Sequence, residues 1–302
     1  MNIPMSDIEI LEEFPSGAEP LARGATAEVY VFRPAWILKL FYAGFDQAYV
    51  EAEARNARAV FALTQQAGTI RVPAVGAIVR VGHRFGLQYE FIEGGSMQTA
   101  LKHAALYPLD AFARRLAQLQ TALHAISLEG SDAANALPLQ RSRLQWAIQA
   151  AHGIPDTMRA AALSALDDLQ HSQQQLCHGD FHMNNILLDQ DGQAFIIDWG
   201  DASRGSPLAD VARTSLLIRY GADPDQPTAV PDGLTATQFE AARQQFNHTY
   251  LALYFELNPI IDWQAQLDQW VLVVAVARLS ERLAPSEQRE LCRLVQALCS
   301  PV

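Results

Sequence analysis

Cysteine is scarce in this chain. Three residues in 302 (Cys177, Cys292 and Cys299) leave room for one bridge at most, so a disulfide framework cannot be what holds the fold. Positive charge is also short, with 22 Lys and Arg against 33 Asp and Glu and a formal net charge of −11. No basic stripe runs through the sequence, which argues against a nucleic-acid partner. Long hydrophobic runs are missing too. The longest near the C-terminal end, Trp270 to Ala277, falls far short of the ~20 residues that span a bilayer, so no membrane partner is expected. Residues Met1 to Phe14 are acidic and show neither the basic nor the apolar region of a secretory signal, and cytoplasmic residence is the expectation. There is no internal repeat.

Against these absences, half the residues are hydrophobic, and the length suffices for two lobes with substantial cores. One segment is dense in chemistry. Leu176 to Gly200 reads LCHGDFHMNNILLDQDGQAFIIDWG. His178-Gly179-Asp180 with Asn185, then Asp198-Trp199-Gly200, follow the kinase arrangement H-R-D-x-x-x-x-N and D-F-G, with Gly in place of Arg. That arrangement points to phosphoryl transfer from a nucleotide.

Asp191-Gly192 between two apolar runs predicts a two-residue hairpin turn. Counting outward from it, Gln190 faces Gln193, Leu188 faces Phe195, and Asn185 faces Asp198. Opposed side chains have Cβ atoms about 4.5–5.5 Å apart, so the amide oxygen and the carboxylate are expected to share one hard cation, Mg²⁺. Asp198 and Asn185 are assigned to the metal against the β and γ phosphates. Asp180 is assigned as the group that accepts or orients the proton of the attacking hydroxyl.

The run HGDFHMNNILL…IIDWGDASRGSPLADVA resembles the aminoglycoside phosphotransferase-like family of small-molecule kinases. His178, Gly179, Asp180, His182, Asn185, Asp198, Gly205, Pro207, Asp210 and Ala212 match its pattern HGD-x-H-x-x-N, I-D-W, G-x-P-x-x-D-x-A, while Met183-Asn184 replaces the commoner Pro-Gly. The resemblance implies an α+β, bilobal, protein-kinase-like fold with a small β-rich N-lobe (1–92) and a larger helical C-lobe (93–302). It also implies that Asp210 is a buried buttress of the catalytic loop. His178 and His182 read as support for the loop's architecture, since the metal and base roles are filled by oxygen ligands.

The N-lobe must then grip the nucleotide. Leu21 to Phe32 reads as strand, small-residue turn and strand, in which Gly24 and Ala25 let the backbone approach phosphates. Lys39 lies inside the apolar strand Trp36 to Phe41, where an ammonium needs a partner, and is read as the ligand of the α and β phosphates. Its carboxylate is expected on the helix Tyr49 to Ala62. Glu53, in the family-like Glu53-Ala54-Arg55, is the first choice and Glu51 the alternative. The strand Gly86 to Ile92 followed by Glu93-Gly94-Gly95 reads as the hinge between the lobes, and by resemblance the backbone at Glu90 and Ile92 hydrogen-bonds the nucleobase.

The rest reads as mostly helical. Asp110 is expected to cap a helix with the apolar stripe Phe112, Leu116, Leu119, Leu123 and Ile126, and His124 at its end reads as packing. Residues 130–140 read as a loop, 171–175 as a polar connector, and the segment from Gln264 onward as helix. Zinc on Cys177, His178 and His182 lacks a second ligand pair, and Cys177 reads as a core residue rather than a thiol nucleophile. Asp198 and Asp210 are only twelve residues apart and no A-P-E follows, which leaves little room for an activation segment. The expected activity is therefore Mg²⁺-dependent transfer of the γ-phosphate of ATP or GTP to a hydroxyl of a small molecule: an aminoglycoside-like sugar, an amino alcohol or another metabolite. The alternatives are a nucleotide-binding module without turnover and a kinase acting on a protein.

Overall fold

The computed structural model describes residues 8–11, 19–103, 109–169, 174–221 and 234–300. The chain divides into two compact units. The first comprises Met1–Ser96, Glu129–Leu137 and Ile186–Ala202; the second comprises Met97–Leu128, Pro138–Asn185 and Ser203–Val302.

The first unit is built on a six-stranded sheet of β1 (Ile8–Leu11), β2 (Ala22–Arg23), β3 (Ala27–Arg33), β4 (Trp36–Phe41), β5 (Val75–Val81) and β6 (Arg84–Glu90). Their order is β1-β5-β6-β4-β3-β2, antiparallel except for β1, which runs parallel to β5. Successive side chains of a strand point to opposite faces. Leu38 and Leu40 therefore share one face of β4, buried with Val79, and Lys39 takes the other. The helix α1 (Gln47–Ala67) packs on β5 and β6. Asp46 caps its start by accepting from the Tyr49 N–H at 2.9 Å, and Gly68 ends it in the left-handed region at φ +67°. Val50, Ala54, Ala57, Val60 and Leu63 form its buried stripe, and Glu53 falls on the same face.

Further along come β7 (Gly94–Ser96), β8 (Gln175–Cys177), β9 (Ile186–Asp189), β10 (Ala194–Ile196) and β11 (Ser203–Gly205). β10, β9 and β7 form a second sheet of the first unit, whereas β8 and β11 pair within the second. The hairpin register differs from the expected one by one residue: Leu188 faces Ala194, and Phe195 faces Leu187. Asp189 is the cause. Its Oδ1 accepts from the N–H groups of Asp191 (3.0 Å) and Gln193 (2.7 Å), which closes a three-residue loop with Gly192 alone at positive φ. A type I′ turn needs positive φ at two positions, and this loop is the next commonest hairpin class. The hairpin therefore does not by itself set Asn185 opposite Asp198.

The later helices are α2 (Met97–His103), α3 (Leu109–His124), α4 (Asp132–Ala136), α5 (Gln140–Ala150), α6 (Asp156–Asp168), α7 (Pro207–Tyr220), α8 (Ala236–Leu257), α9 (Trp263–Arg278) and α10 (Pro285–Cys299). All but α4 belong to the second unit, so part of the expected 130–140 loop is helical. Helix breaks before α10, where Pro285 occupies the first turn. α3 packs on α8 and α7 on α9. The buried face of α3 is Ala113, Leu116, Ala117, Gln120, Leu123 and His124, rotated from the expected stripe so that it carries two polar residues; Phe112 and Leu119 are only half-buried. Asp110 lies in the first turn of α3 and accepts from Thr249 (3.0 Å) and Gln245 (3.3 Å) of α8. The connector at 171–173 lies outside the described residues.

Gly94 is the tightest backbone approach among the described glycines of the first unit, because a Cβ built there would lie 2.0 Å from the Leu188 carbonyl oxygen of β9. At Gly95 a Cβ meets nothing within 4 Å. Gly94→Ala must spread β7 from β9 and is expected to cost about 1–3 kcal/mol, seen as a fall of several degrees in Tm. Gly95→Ala should leave Tm within a degree or so; equal melting of both variants would refute the close-packing account.

Candidate active site

In the first unit, Lys39 is the centre of a charge cluster. The alternation of β4 turns it away from Leu38 and Leu40, and its Nζ donates to Glu53 Oε1 at 2.8 Å and to Asp198 Oδ1 at 2.9 Å. Glu53 also accepts from the Tyr89 hydroxyl at 2.9 Å. Glu51, by contrast, accepts from Gln47 of its own helix at 2.7 Å. Burial would pull the Lys39 ammonium down, but Asp198 and Glu53 outweigh it and hold it above the ordinary lysine range. Glu53 is pushed up by burial, with Lys39 opposing and the Asp198 carboxylate reinforcing. A dry cation between two carboxylates is stable only as a set, since removing one partner leaves a buried charge uncompensated.

Asp198 occupies the left-handed region at φ 64° and ψ 67°, which costs a non-glycine residue on the order of 1 kcal/mol. The turn around it is pinned. Trp199 Nε1 donates to the Ile196 carbonyl at 3.0 Å, and Asn56 of α1 donates to the Gly200 carbonyl at 2.9 Å. The Asp198 side chain keeps 47% of its surface exposed. In the loop between β2 and β3, the Gly24 N–H donates to the Ala27 carbonyl at 2.9 Å and is thereby spent. The next two N–H groups, of Ala25 and Thr26, donate to nothing among the described residues. The Glu90 N–H donates to the Ala74 carbonyl at 2.9 Å. That of Ile92, whose side chain is buried, has no acceptor among the described residues.

In the second unit, a loop from His178 to Asn185 follows β8. Gly179 supplies positive φ at +81°. The loop hangs on Asp210 of α7: the His178 N–H donates to Asp210 Oδ2 at 3.0 Å and the Gly179 N–H to Oδ1 at 2.7 Å. His124 Nε2 and Gln120 Nε2 also reach Oδ2, at 3.1 and 3.3 Å, and the Tyr254 hydroxyl meets His124 Nδ1 at 2.7 Å. Burial pushes the Asp210 carboxyl up, but His124, His178 and the Gly179 N–H outweigh it and keep it below the usual range. His124 is thus a polar partner of the buttress as well as a packing residue. Its neighbour Tyr254 and the Gln120–Tyr250 hydroxyl contact had no motif to mark them.

Asp180 has both carboxylate oxygens engaged. Oδ1 accepts from Arg213 Nη2 at 2.9 Å; Oδ2 accepts from His182 Nε2 and Asn185 Nδ2, both at 3.3 Å. Backbone N–H groups fix both imidazoles. The Asp180 N–H donates to His178 Nδ1 and the Asn184 N–H to His182 Nδ1, each at 3.2 Å, so Nε2 carries the proton in each ring. Burial would raise the Asp180 carboxyl, but Arg213, His182 and His178 prevail and hold it well below the ordinary carboxylate range. It is therefore held ionised and is a weak base. Asn185 Nδ2 also donates to the Asp180 carbonyl at 2.9 Å, and its Oδ1 has no partner among the described residues.

His124, Cys177 and Asp210 bring ligand atoms within 4.8 Å of one another. Their valences are already used: His124 bonds Asp210, and Cys177 Sγ donates to the Ser206 carbonyl at 3.5 Å. Burial, with the nearby Asp210, pushes the Cys177 thiol far up, so it is neither a thiolate ligand nor a nucleophile. No helix among the described residues is long and apolar enough to cross a membrane.

Asp210→Asn would turn an NH₂ toward groups that are themselves donors. We expect a loss of about 3 kcal/mol in urea unfolding at pH 7. Because the folded carboxyl titrates below its unfolded value of about 3.9, its contribution is complete above that pH and lost as pH falls through the folded value. The gap between wild type and variant should therefore close only in acid. A gap that is constant with pH would refute the account.

Comparison with known proteins bears on all of this. No curated protein matches the sequence. Among solved structures, the aminoglycoside phosphotransferase APH(4)-Ia superposes with a TM-score of 0.64 at 16% identity, covering 94% of this chain and 93% of its own. The amicoumacin kinase hAmiN, in complex with AMP-PNP, Ca²⁺ and Ami, gives 0.60 at 16% identity over 95% and 89%. The GDP and kanamycin complex of APH(2″)-IIIa gives 0.57 at 17% identity over 94% and 93%. These likenesses establish the α+β protein-kinase-like fold. The phosphotransferase enzyme family matches residues 17–254, well over half of the chain, and this protein belongs to that family.

Proposed function

We propose that the protein transfers the γ-phosphate of ATP or GTP, with Mg²⁺, to a hydroxyl of a small molecule. The observation that carries this reading is Lys39, ionised and fixed by Glu53 beside the partly exposed carboxylate of Asp198. Lys39 is the ligand of the α and β phosphates, and Glu53 aims it. The N–H groups of Ala25 and Thr26, which donate to nothing among the described residues, lie in the loop that Gly24 opens and suit the phosphate oxygens. The Ile92 N–H, with the backbone at Glu90, suits a nucleobase edge.

The residues fit a hard divalent cation. Asp198 offers an accessible carboxylate, and Asn185 has its amide nitrogen committed and its oxygen available, both donors of the type Mg²⁺ takes. When bound, such a cation neutralises charge developing on the phosphates. Asp180 accepts a hydrogen bond from the acceptor hydroxyl and orients it. The hydroxyl oxygen forms the new bond to phosphorus, the nucleoside diphosphate leaves, and the proton passes to Asp180 or onward to water late in the step. The neighbours' complexes with AMP-PNP, GDP, Ca²⁺, hygromycin B and kanamycin support the class of donor and acceptor.

The test is a thermal melt with ATP or GTP, each with and without Mg²⁺. Nucleotide at 100 times its Kd should add about 2.7 kcal/mol, several degrees in Tm. We expect a Mg²⁺-dependent shift for at least one nucleotide that is lost in Asp198→Ala and kept in Asp180→Asn. No shift with either nucleotide would defeat the proposal. A shift without turnover on a broad acceptor panel would favour the binding-module reading.

A further inference from the structure

Arg213 belongs to none of the motifs, yet it sits on the group proposed to meet the acceptor. It lies one turn beyond Asp210 on α7, so the helix that buttresses the loop backbone also delivers a guanidinium to the loop's carboxylate. Its Nη2 is 2.9 Å from Asp180 Oδ1. The same guanidinium holds Glu281, Nη1 to Oε1 at 2.6 Å and Nη2 to Oε2 at 3.3 Å. Glu281 accepts in turn from Arg278 Nη1 at 3.3 Å, and Arg278 pairs with Glu287 of α10. Arg278 and Glu287 are each only 3% exposed. The result is a ladder of alternating charge, Asp180–Arg213–Glu281–Arg278–Glu287, anchored at its far end where water does not reach.

The two oxygens of Asp180 differ in consequence. Oδ2 already takes two donors, His182 and Asn185. Oδ1 takes Arg213, the one side chain that reaches it among the described residues, and keeps a lone pair. An acceptor hydroxyl must therefore bond Oδ1, and the direction of the remaining lone pair is fixed by the guanidinium on the other. Resting on the reading of Asp180 given above, we propose that Arg213, braced by Glu281, is the positioning residue that sets the Asp180 carboxylate for the acceptor. Arginine's planar fork serves two carboxylates at once, which a lysine ammonium cannot do in the same geometry.

The test uses the full chain and release of inorganic phosphate from Mg·ATP and Mg·GTP, with water as the acceptor, in wild type, Asp180→Asn, Arg213→Met, Arg213→Lys and Glu281→Gln. Arg213→Met keeps the apolar stem while removing the fork. We expect it to lower kcat 10- to 100-fold while the KM for nucleotide stays within twofold. Arg213→Lys should recover part of the loss, and Glu281→Gln should lower kcat three- to tenfold by freeing the guanidinium. A purely structural role would lower Tm and move KM and kcat together, and that result overturns the inference. Wild-type or faster turnover in Arg213→Met, with Asp180→Asn inactive, overturns it alone and leaves Asp180's role standing. Full activity in Asp180→Asn, or no nucleotide turnover in wild type, overturns the functional reading and this inference with it.

Discussion

A carboxylate that water cannot reach has to be surrounded by donors, and Asp210 is the point from which the chemistry of the second unit hangs. It is 1% exposed and accepts from two backbone N–H groups and two side chains. The His178–Asp180 turn has no regular ladder to hold it, so its geometry is inherited from that one anion. The helices that supply the remaining donors, α3 and through Tyr254 α8, are thereby committed to a register: a slip of either would strand a polar group in the core.

The first unit solves the same electrostatic problem with the signs exchanged. Lys39 is the dry cation, and two carboxylates neutralise it. One, Glu53, is buried on α1; the other, Asp198, is offered on a strained turn that retains exposure. The difference separates their uses. A buried partner fixes the lysine, while the other keeps 47% of its side-chain surface open to solvent.

Much of this was legible in the sequence, for identifiable reasons. Strand β4 was legible as the apolar run Trp36 to Phe41, and the lysine inside it called for a carboxylate on the helix read over Tyr49 to Ala62, which lies within the observed Gln47–Ala67. The HGD and Asp-Trp-Gly signatures marked the loops because their spacing is short and their residue types are rare together. The hairpin register was not legible. Asp191-Gly192 is a strong local signal, but the side chain of Asp189, two residues earlier, captured the turn and shifted every pair by one. His124 was read as packing because burial and hydrogen bonding write the same apolar-face pattern. Arg213 carried the faintest mark: only its place one turn past Asp210 would have singled it out, and nothing local says which carboxylate a helix arginine will meet. Glu281 lies 68 residues further on, beyond any local rule.

The discontinuity of the first unit has a consequence for how the molecule is made. Its sheet and α1 come from the first 96 residues, but the Asp198 hairpin and turn belong to Ile186–Ala202, after the chain has contributed α2, α3, α5, α6 and β8 elsewhere. During synthesis at ~5–20 residues per second, Lys39 and Glu53 leave the ribosome several seconds before their third partner. A nascent sheet of the first 96 residues carries a lysine with one of its two anions, and the charge set closes only when nearly two thirds of the chain has emerged. The first unit is therefore not a portable module: excised after residue 96, it would lose Asp198 and leave the Lys39 ammonium with Glu53 alone.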